Sequence, residues 1–186
     1  MGYPSFDSGE FVMLTQDDIE AFAKPKLLIA GYGRHGKDSV AEILHRKYGF
    51  KFVSSSEFVA QEIIWDQWGW LKYPNFDAMF ADRHNHRRAW MEMIAEFNTP
   101  RKDRTARTMF ERGYDIYVGL RRQDELNASR HLFDYIIWVD RSEHLPPETG
   151  SMDITRDSAE PDFVIDNNGT LDDLERAVDF VATQIL

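Results

Sequence analysis

The stretch from Lys26 to Ser39 constrains this chain more than any other. A short apolar run ends at Gly31, a glycine-rich turn follows, and an amphipathic segment begins at Lys37. A strand, the spacing Gly-x-x-x-x-Gly-Lys and a helix, in this order, predict a phosphate-binding P-loop. The glycines let successive N–H groups point at one anion, and the helix adds the partial positive charge of its N-terminus. We therefore expect a phosphate group to bind here, with Lys37 reaching its outer oxygens.

The residue after this lysine departs from the standard motif. The motif has a serine or threonine whose hydroxyl holds Mg²⁺, whereas this chain has Asp38 followed by Ser39. A carboxylate is also a hard oxygen ligand, so Asp38 is predicted to hold Mg²⁺ directly or through water. Its negative charge beside the phosphates makes a bound metal harder to dispense with.

Composition limits the class of protein. The 186 residues are 42% hydrophobic and 29% charged, which indicates one globular domain rather than a disordered chain. The net charge of −10 argues against a general affinity for nucleic acid. Cysteine is absent, which excludes disulfides, thiolate zinc sites and thiol catalysis. No apolar run approaches about 18 residues and the N-terminus lacks a basic-then-apolar signal, so we expect a cytoplasmic protein that does not enter membranes.

Periodicity along the chain predicts the order β-α-β-α-α-α-β-α-β-lid-β-α. Residues 1–25 are expected to be an N-terminal extension with a short helix from Thr15 to Ala23, and residues 26–186 to form the P-loop domain. Short apolar strands favour an α/β fold in three layers, with a five-stranded parallel sheet flanked by helices. After the first strand, strands are predicted at 50–53, 115–120, 134–139 and 163–166, helices at 37–48, 54–68, 84–98, 101–112, 123–132 and from 171 onward, and irregular structure at 69–82.

Residues 141–161 are predicted to form a lid. They contain three prolines and little periodicity. A loop of this length in a compact domain is usually functional, so we interpret Arg141 and Arg156 as lid residues that approach the ligand when the loop closes and excludes water.

The predicted strand ends indicate where a ligand binds. Ligands of parallel sheets bind outside the carboxyl ends of the strands. Gly31, Ser54, Arg121, Asp140 and Asn167 all occupy such ends. We therefore expect these residues to line one cleft, with Asp140 as a second candidate metal ligand.

Arginine is concentrated in the middle of the chain. Nine of the fifteen arginines lie within residues 83–122. The guanidinium fork matches phosphate oxygens, so this enrichment predicts a second, phosphate-recognising side of the cleft. Arg121 is the best placed because it follows a strand, and Glu125, one helical turn later, is positioned to orient it. The residues predicted on this side are Ser54, Arg83, Arg87, Arg88, Arg121 and Glu125.

Three stretches carry a resemblance to a known family. They are Gly-Lys-Asp at 36–38, Tyr-Val-Gly-Leu-Arg at 117–121 with Glu125, and Val-Ile-Asp-Asn-Asn-Gly-Thr-Leu at 164–171. From about residue 26 to the C-terminus the chain resembles P-loop nucleotide kinases, specifically the bacteriophage deoxynucleoside monophosphate kinase family. The first and third motifs are shared with phosphomevalonate kinase and dephospho-coenzyme A kinase. The middle one resembles the Val-Arg-x-x-x-Glu segment of the phage enzymes, with Gly119 where a strand-end acidic residue can occur.

This resemblance implies phosphoryl transfer from ATP, with Mg²⁺, to a nucleoside or deoxynucleoside monophosphate in a monomer or homodimer. A monophosphate is already anionic, so no general base is required beside it. The catalytic residues implied are Lys37, Arg121, Arg141 and Arg156, with Asp38 and Asp140 on the metal. The ATP contacts implied are Gly31, Gly33, Arg34, His35, Gly36, Lys37, Asp38, Ser39, Asn167 and Gly169.

Three other functions stay open on the sequence. The first is a P-loop kinase of an alcohol or a phosphorylated metabolite, in which Asp140 would serve as the base. The second is a P-loop NTPase that drives a conformational change and hydrolyses its nucleotide without an acceptor. The third is a non-enzymatic nucleotide- or partner-binding module, in which Asp38 and Gly119 would be signs of decay.

Overall fold

A computed structural model describes residues 23–147 and 152–186 of this chain. Residues 1–22, with almost all of the predicted N-terminal extension and its helix, lie outside the described residues. So do residues 148–151 of the predicted lid. Every helix, strand and contact given for this protein lies within residues 23–147 and 152–186.

Five strands form one sheet in which every pairing is parallel, in the order β2-β3-β1-β4-β5. Helices cover both faces, so the predicted α/β class and five-stranded parallel sheet are confirmed. The strands are β1 (Leu27–Ala30), β2 (Phe52–Ser54), β3 (Ile116–Val118), β4 (Tyr135–Asp140) and β5 (Phe163–Asp166).

The helices lie between these strands along the chain. A π-helical segment (Ala60–Gly69) joins two α-helical stretches, and 3-10 turns cover Arg83–His86 and Arg130–Leu132. The α-helices of the described residues are α1 (Lys37–Tyr48), α2 (Ser55–Val59), α3 (Trp70–Lys72), α4 (Phe76–Asp82), α5 (Arg87–Phe97), α6 (Arg104–Glu111), α7 (Gln123–Ser129), α8 (Arg156–Ala159) and α9 (Leu171–Ile185).

The sheet divides the buried core into two layers. Successive side chains of a strand point to opposite faces, so neighbouring residues enter different layers. Leu28 and Trp138 pack among the helices between β2 and β4, whereas Leu27 and Val139 pack against α1 and α9. Burial on both faces explains why the strands are almost continuously apolar.

Gly69 does not end a helix, contrary to the prediction. The helical stretch that begins at Ser55 continues past it to Lys72. A Cβ at position 69 would collide with Sδ of Met79 in α4 and lie 2.8 Å from Cε3 of Trp65. The glycine is required by this close packing, a cause that the sequence does not distinguish from a helix stop.

The region predicted to be irregular, 69–82, contains α4. Asn75 caps this helix, because its Oδ1 accepts the Ala78 N–H at 2.9 Å. The helix predicted over 84–98 begins as the 3-10 turn of residues 83–86 and becomes α-helical at residue 87. Arg83 and Arg87, four positions apart, therefore do not share one continuous α-helical face.

The predicted lid is also more regular than expected. Its second half contains α8, which begins with a capping box. Oγ1 of Thr155 accepts the Ser158 N–H at 3.1 Å, and Oγ of Ser158 accepts the Thr155 N–H at 2.9 Å. The other predicted elements agree with the structure to within a few residues at their ends.

None of the helices in residues 23–147 and 152–186 combines the length and the apolarity needed to cross a bilayer.

Candidate active site

The loop between β1 and α1 curls tightly at the carboxyl end of the sheet. Gly31 has a φ of 145°, and a Cβ at this position would lie 2.5 Å from the Val139 carbonyl oxygen in β4. Gly36 has a φ of 95°, and its Cβ would collide with Nδ2 of Asn167. Arg34 also adopts a left-handed conformation, with a φ of 65°. The two glycines are thus required both by backbone conformation and by contact with the ends of β4 and β5.

Helix α1 begins at this loop without a side-chain cap. Its N-cap residue is Gly36, whereas α2, α4, α8 and α9 are each capped by a side-chain oxygen. The first N–H groups of a helix have no partner within the helix, and together they suit an anion. Asp38 and Ser39 lie in this first turn with exposed side chains. The loop and the turn together match the predicted phosphate cradle.

The Lys37 side chain folds back over the loop. Its Nζ donates to the Tyr32 carbonyl oxygen at 2.7 Å. The end of β3 lies close by, because a Cβ at Gly119 would be 3.7 Å from Cε of Lys37 and 3.5 Å from Oγ of Ser55. The Lys37 stem therefore lies beside the backbone that follows β3. Tyr32 and Ser55 were not among the predicted site residues.

Asn167 ties the end of β5 to the loop. Its Nδ2 donates to the His35 carbonyl oxygen at 2.8 Å, and its N–H donates to the Asp140 carbonyl oxygen at 2.7 Å. Nη1 of Arg141 donates to the Asn167 carbonyl oxygen at 3.0 Å. The structure therefore brings together the predicted residues of the loop, of the end of β5 and of the start of the lid.

The ring of His35 is buried and does not face the cleft. Nδ1 accepts the Arg141 N–H at 2.9 Å, and Nε2 donates to the Leu145 carbonyl oxygen at 3.2 Å. Burial lowers the pKa of His35, although the hydrogen bond to Leu145 opposes that shift. The imidazole is therefore neutral at neutral pH. Because the ring is buried, the ATP contact predicted at this position would have to be made by the main chain.

Asp140 ends β4 beside the start of the lid. Its Oδ1 accepts the Ser142 N–H at 2.8 Å. Burial alone would raise the pKa of Asp140, but the Ser142 hydrogen bonds and the charge of Arg156 outweigh it and hold this pKa below its usual range. Arg156 itself is exposed at the first residue of α8. Asp140 is thus a carboxylate already engaged by the chain.

The candidate metal ligands do not form a complete cage. Among the described residues, no group of three or more His, Asp or Glu side chains lies close enough together to hold a metal ion. Mg²⁺ is commonly bound by one or two carboxylates together with phosphate oxygens and water. The exposed Asp38 in the first turn of α1 fits this pattern better than Asp140.

A cleft of about 310 Å³ opens beside the loop. Part of its lining was predicted, and part, on α9, was not, because Leu171 and Leu174 read as ordinary positions of an amphipathic helix. It is large enough for a nucleobase. The lining consists of Arg34, Gly36, Ser39, Arg141, Asn167, Gly169, Thr170, Leu171 and Leu174.

Most residues predicted on the second side have local partners. Oγ of Ser54 accepts the Glu57 N–H at 3.2 Å and caps α2. Arg83 donates to the Phe80 carbonyl oxygen at 2.8 Å and lies over the Phe80 ring. Arg88 is almost fully exposed and pairs with Glu92 at 2.9 Å. Arg87 begins α5, and its side chain lies outside the described part of the structure.

Glu125 accepts a hydrogen bond from a buried asparagine. Oε1 of Glu125 accepts from Nδ2 of Asn98 at 3.1 Å, and Asn98 is buried, with its Oδ1 accepting from Thr105. The structure therefore gives Glu125 a partner that was not predicted, and its orienting role toward Arg121 stays a prediction. Arg121 is exposed beyond the end of β3. The partner Asn98 was missed because it lies on another helix, 27 residues away.

Comparison with known proteins supports the fold alone. No protein-family model and no curated protein matches this chain. TT1252 from Thermus thermophilus is similar over 88% of this chain and 100% of its own, with 18% identity and a TM-score of 0.55. A sugar kinase from Janibacter sp. HTCC2649 is similar over 86% of this chain and 95% of its own, with 14% identity and a TM-score of 0.40. The first similarity supports the α/β fold described above, and the second is too distant to support an argument.

Glu125→Gln should make the stability of the protein less sensitive to pH. Burial raises the pKa of Glu125 above the ordinary 4.5, with the Asn98 hydrogen bond opposing the shift. A raised pKa stabilises the fold below pH 4.5, and this contribution is lost as the pH rises through the folded-state value. The glutamine remains uncharged and can still accept from Asn98. As the pH rises from about 4 to 7, the free energy of unfolding of the variant should therefore increase relative to that of the wild type.

Denaturant unfolding at a series of pH values measures this difference. Glu111→Gln, at an exposed position, is the control and should follow the wild type. A difference between Glu125→Gln and the wild type that stays constant with pH would contradict the assignment.

Proposed function

We propose that this protein transfers the γ-phosphoryl group of ATP to a nucleoside or deoxynucleoside monophosphate, releasing ADP and the diphosphate. The bond between the γ-phosphorus and the bridging oxygen of ATP breaks, and a bond to an oxygen of the acceptor monophosphate forms. The observation that carries the proposal is the glycine-rich loop, packed against the ends of β4 and β5, with Lys37 folded over it at the start of α1, which has no side-chain cap. Such a site binds the phosphates of a nucleotide.

The residues near the loop fit both ATP and Mg²⁺. Bound ATP would supply the phosphoryl group and Mg²⁺ would neutralise charge on its β- and γ-oxygens. The loop N–H groups and Lys37 would bind the phosphates, and Asp38 would hold the metal. The cleft between the loop and α9 would take the base, against Leu171 and Leu174.

The chemistry of Asp140 favours a monophosphate acceptor over an alcohol. An alcohol would need a base to take its proton, and Asp140 is the residue predicted for that role. Its pKa lies below the usual range, and its Oδ1 accepts from Ser142, so it is a weak base. An anionic acceptor needs no base, only cations that hold it in line.

The direct test is a coupled assay of ADP release over a panel of acceptors. We expect release that depends on a nucleoside monophosphate, and we expect Lys37→Ala to lower kcat/KM by about 10² to 10³-fold because it removes a cation from the transferred group. Lys47→Ala, at the other end of α1, is the control and should retain activity. ADP release without an acceptor would indicate an NTPase, and release only with a sugar or another metabolite would contradict the proposed acceptor.

Asp38→Asn should raise the concentration of Mg²⁺ needed for half-maximal activity by about 10-fold, because a neutral amide is a weaker ligand than a carboxylate. Its thermal stability should stay near that of the wild type, since the side chain is exposed. Glu42→Gln, exposed one turn later on α1, is the matched control. Equal Mg²⁺ titrations of Asp38→Asn and wild type would remove Asp38 from the metal site.

Arg121→Lys should raise the KM for the monophosphate by about 10-fold and leave that for ATP nearly unchanged. Lysine keeps the charge but loses the planar fork that binds two phosphate oxygens at once. Arg122→Lys, exposed at the next position, controls for general effects of the exchange. If both variants have wild-type acceptor kinetics, the acceptor phosphate is not bound at the end of β3.

A further inference from the structure

We propose that His35 is a positioning residue that joins the phosphate-binding loop to the start of the lid and thereby sets the place of the Arg141 side chain. The inference rests on the proposed phosphoryl transfer for its effect on rate, but the link itself is a matter of geometry. His35 stands at a variable position of the Gly-x-x-x-x-Gly-Lys spacing, and nothing in that spacing requires a histidine.

The imidazole spans one turn of the lid. Residues 141–145 form this turn, in which the N–H groups of His144 and Leu145 both donate to the Arg141 carbonyl oxygen, at 3.1 and 3.0 Å. His35 accepts from the Arg141 N–H at the beginning of the turn and donates to the Leu145 carbonyl oxygen at its end. One rigid ring therefore fixes both ends of the turn from within the protein.

A second set of hydrogen bonds joins His35 to Arg141 through Asn167. The His35 carbonyl oxygen accepts from Nδ2 of Asn167, and the Asn167 carbonyl oxygen accepts from Nη1 of Arg141. The main chain of Arg141 is thus held by the His35 ring, and its guanidinium is held by the residue that binds the His35 main chain. Both ends of the Arg141 side chain depend on the position of the loop.

The neutral imidazole suits this place because it offers an acceptor and a donor on a rigid frame without charge. The ring is fully buried, so a ring nitrogen left without a hydrogen-bond partner would destabilise the fold. Burial also lowers the pKa of His35, which keeps Nδ1 free of a proton and able to accept from Arg141. The tautomer with the proton on Nε2 is the one that satisfies both neighbours.

The lid turn has other anchors, so His35 is not needed to hold it on the protein. The Glu143 N–H donates to Oδ1 of Asn168 at 3.1 Å, and Nε2 of His144 contacts the Asn168 carbonyl oxygen at 2.8 Å. A change at His35 should therefore shift Arg141 rather than release the whole turn. Arg141 lines the cleft that is proposed to bind ATP. A shift of this side chain would change how ATP is held, and so it should lower the rate of phosphoryl transfer.

Two amide variants separate the two ring nitrogens. In His35→Asn, Oδ1 takes the place of Nδ1 and can accept from Arg141, but no group reaches Leu145. In His35→Gln, Nε2 takes the place of the ring Nε2 and can donate to Leu145, but the Arg141 N–H loses its acceptor. Both variants lose ring volume and one hydrogen bond, so both should be less stable than the wild type.

The value of kcat should depend on whether the hydrogen bond from the Arg141 N–H is kept, and not on the stability of the variant. We expect kcat to fall on the order of 10-fold in His35→Gln and no more than about 3-fold in His35→Asn, with the KM of the acceptor unchanged in both. In an Arg141→Ala background, His35→Gln should lower kcat no further, because the side chain that His35 positions is already absent. Equal rates in the two amide variants, or an additive loss in the double variant, would overturn the proposal.

Hydrogen exchange of the Arg141 amide provides a measurement that needs no activity. In the ligand-free protein this amide should exchange slowly in the wild type and in His35→Asn, and at least about 10-fold faster in His35→Gln. Equal exchange in all three proteins would overturn the link. A wild type that transfers no phosphoryl group would instead refute the proposed function, while the exchange data would still decide whether His35 holds Arg141.

Discussion

The close contact of the glycine-rich loop between β1 and α1 with the ends of β4 and β5 is the constraint on which the rest of the candidate site depends. Gly31 lies against the Val139 carbonyl and Gly36 against the Asn167 side chain, at distances that leave no room for a Cβ. A side chain at either position would lift the loop from the sheet. Helix α1 would then start elsewhere, and Lys37, the lid turn and the end of β5 would no longer meet.

The electrostatics of the cleft differ from those of the whole protein. The chain carries a net charge of −10, which by itself repels a phosphate ligand. Near the cleft, however, two carboxylates are engaged by the chain, Asp140 by Ser142 and Asp173 by Thr170, while Asp38 is exposed. Charges farther than about 8 Å away are largely screened at physiological salt, so the local set decides. The cations of this set are Arg34 and Arg141, which line the cleft, Lys37, which lies over the loop, and Arg156, whose charge acts on Asp140.

The sequence was sufficient for features that arise locally. The apolar strands and the α1 boundaries depend on neighbouring residues and were predicted correctly. Gly69 was misinterpreted because close packing against Met79 involves a helix that lies later in the chain. A single sequence shows where the glycines are, but it does not show which side chains from distant parts of the chain pack against them.

The candidate site could be predicted as far as its location. Residues at strand ends converge by topology, so Gly31, Asp140 and Asn167 were expected to meet. The direction of a side chain in an irregular loop has no periodicity, and so the inward turn of His35 could not be predicted. The same holds for the pairing of Glu125 with Asn98, since that contact depends on how two helices pack.

The bond from Lys37 to the Tyr32 carbonyl fixes the lysine side chain over the loop. The ammonium donates to this main-chain oxygen at 2.7 Å, and hydrogen bonds to charged groups contribute about 1.5 to 3 kcal/mol. An ammonium has three N–H donors, so the same nitrogen can hold its own backbone and donate to a ligand. A side chain that is already ordered loses less conformational entropy when a ligand binds. The loop thereby supplies a cation whose position is set by the main chain before any ligand arrives.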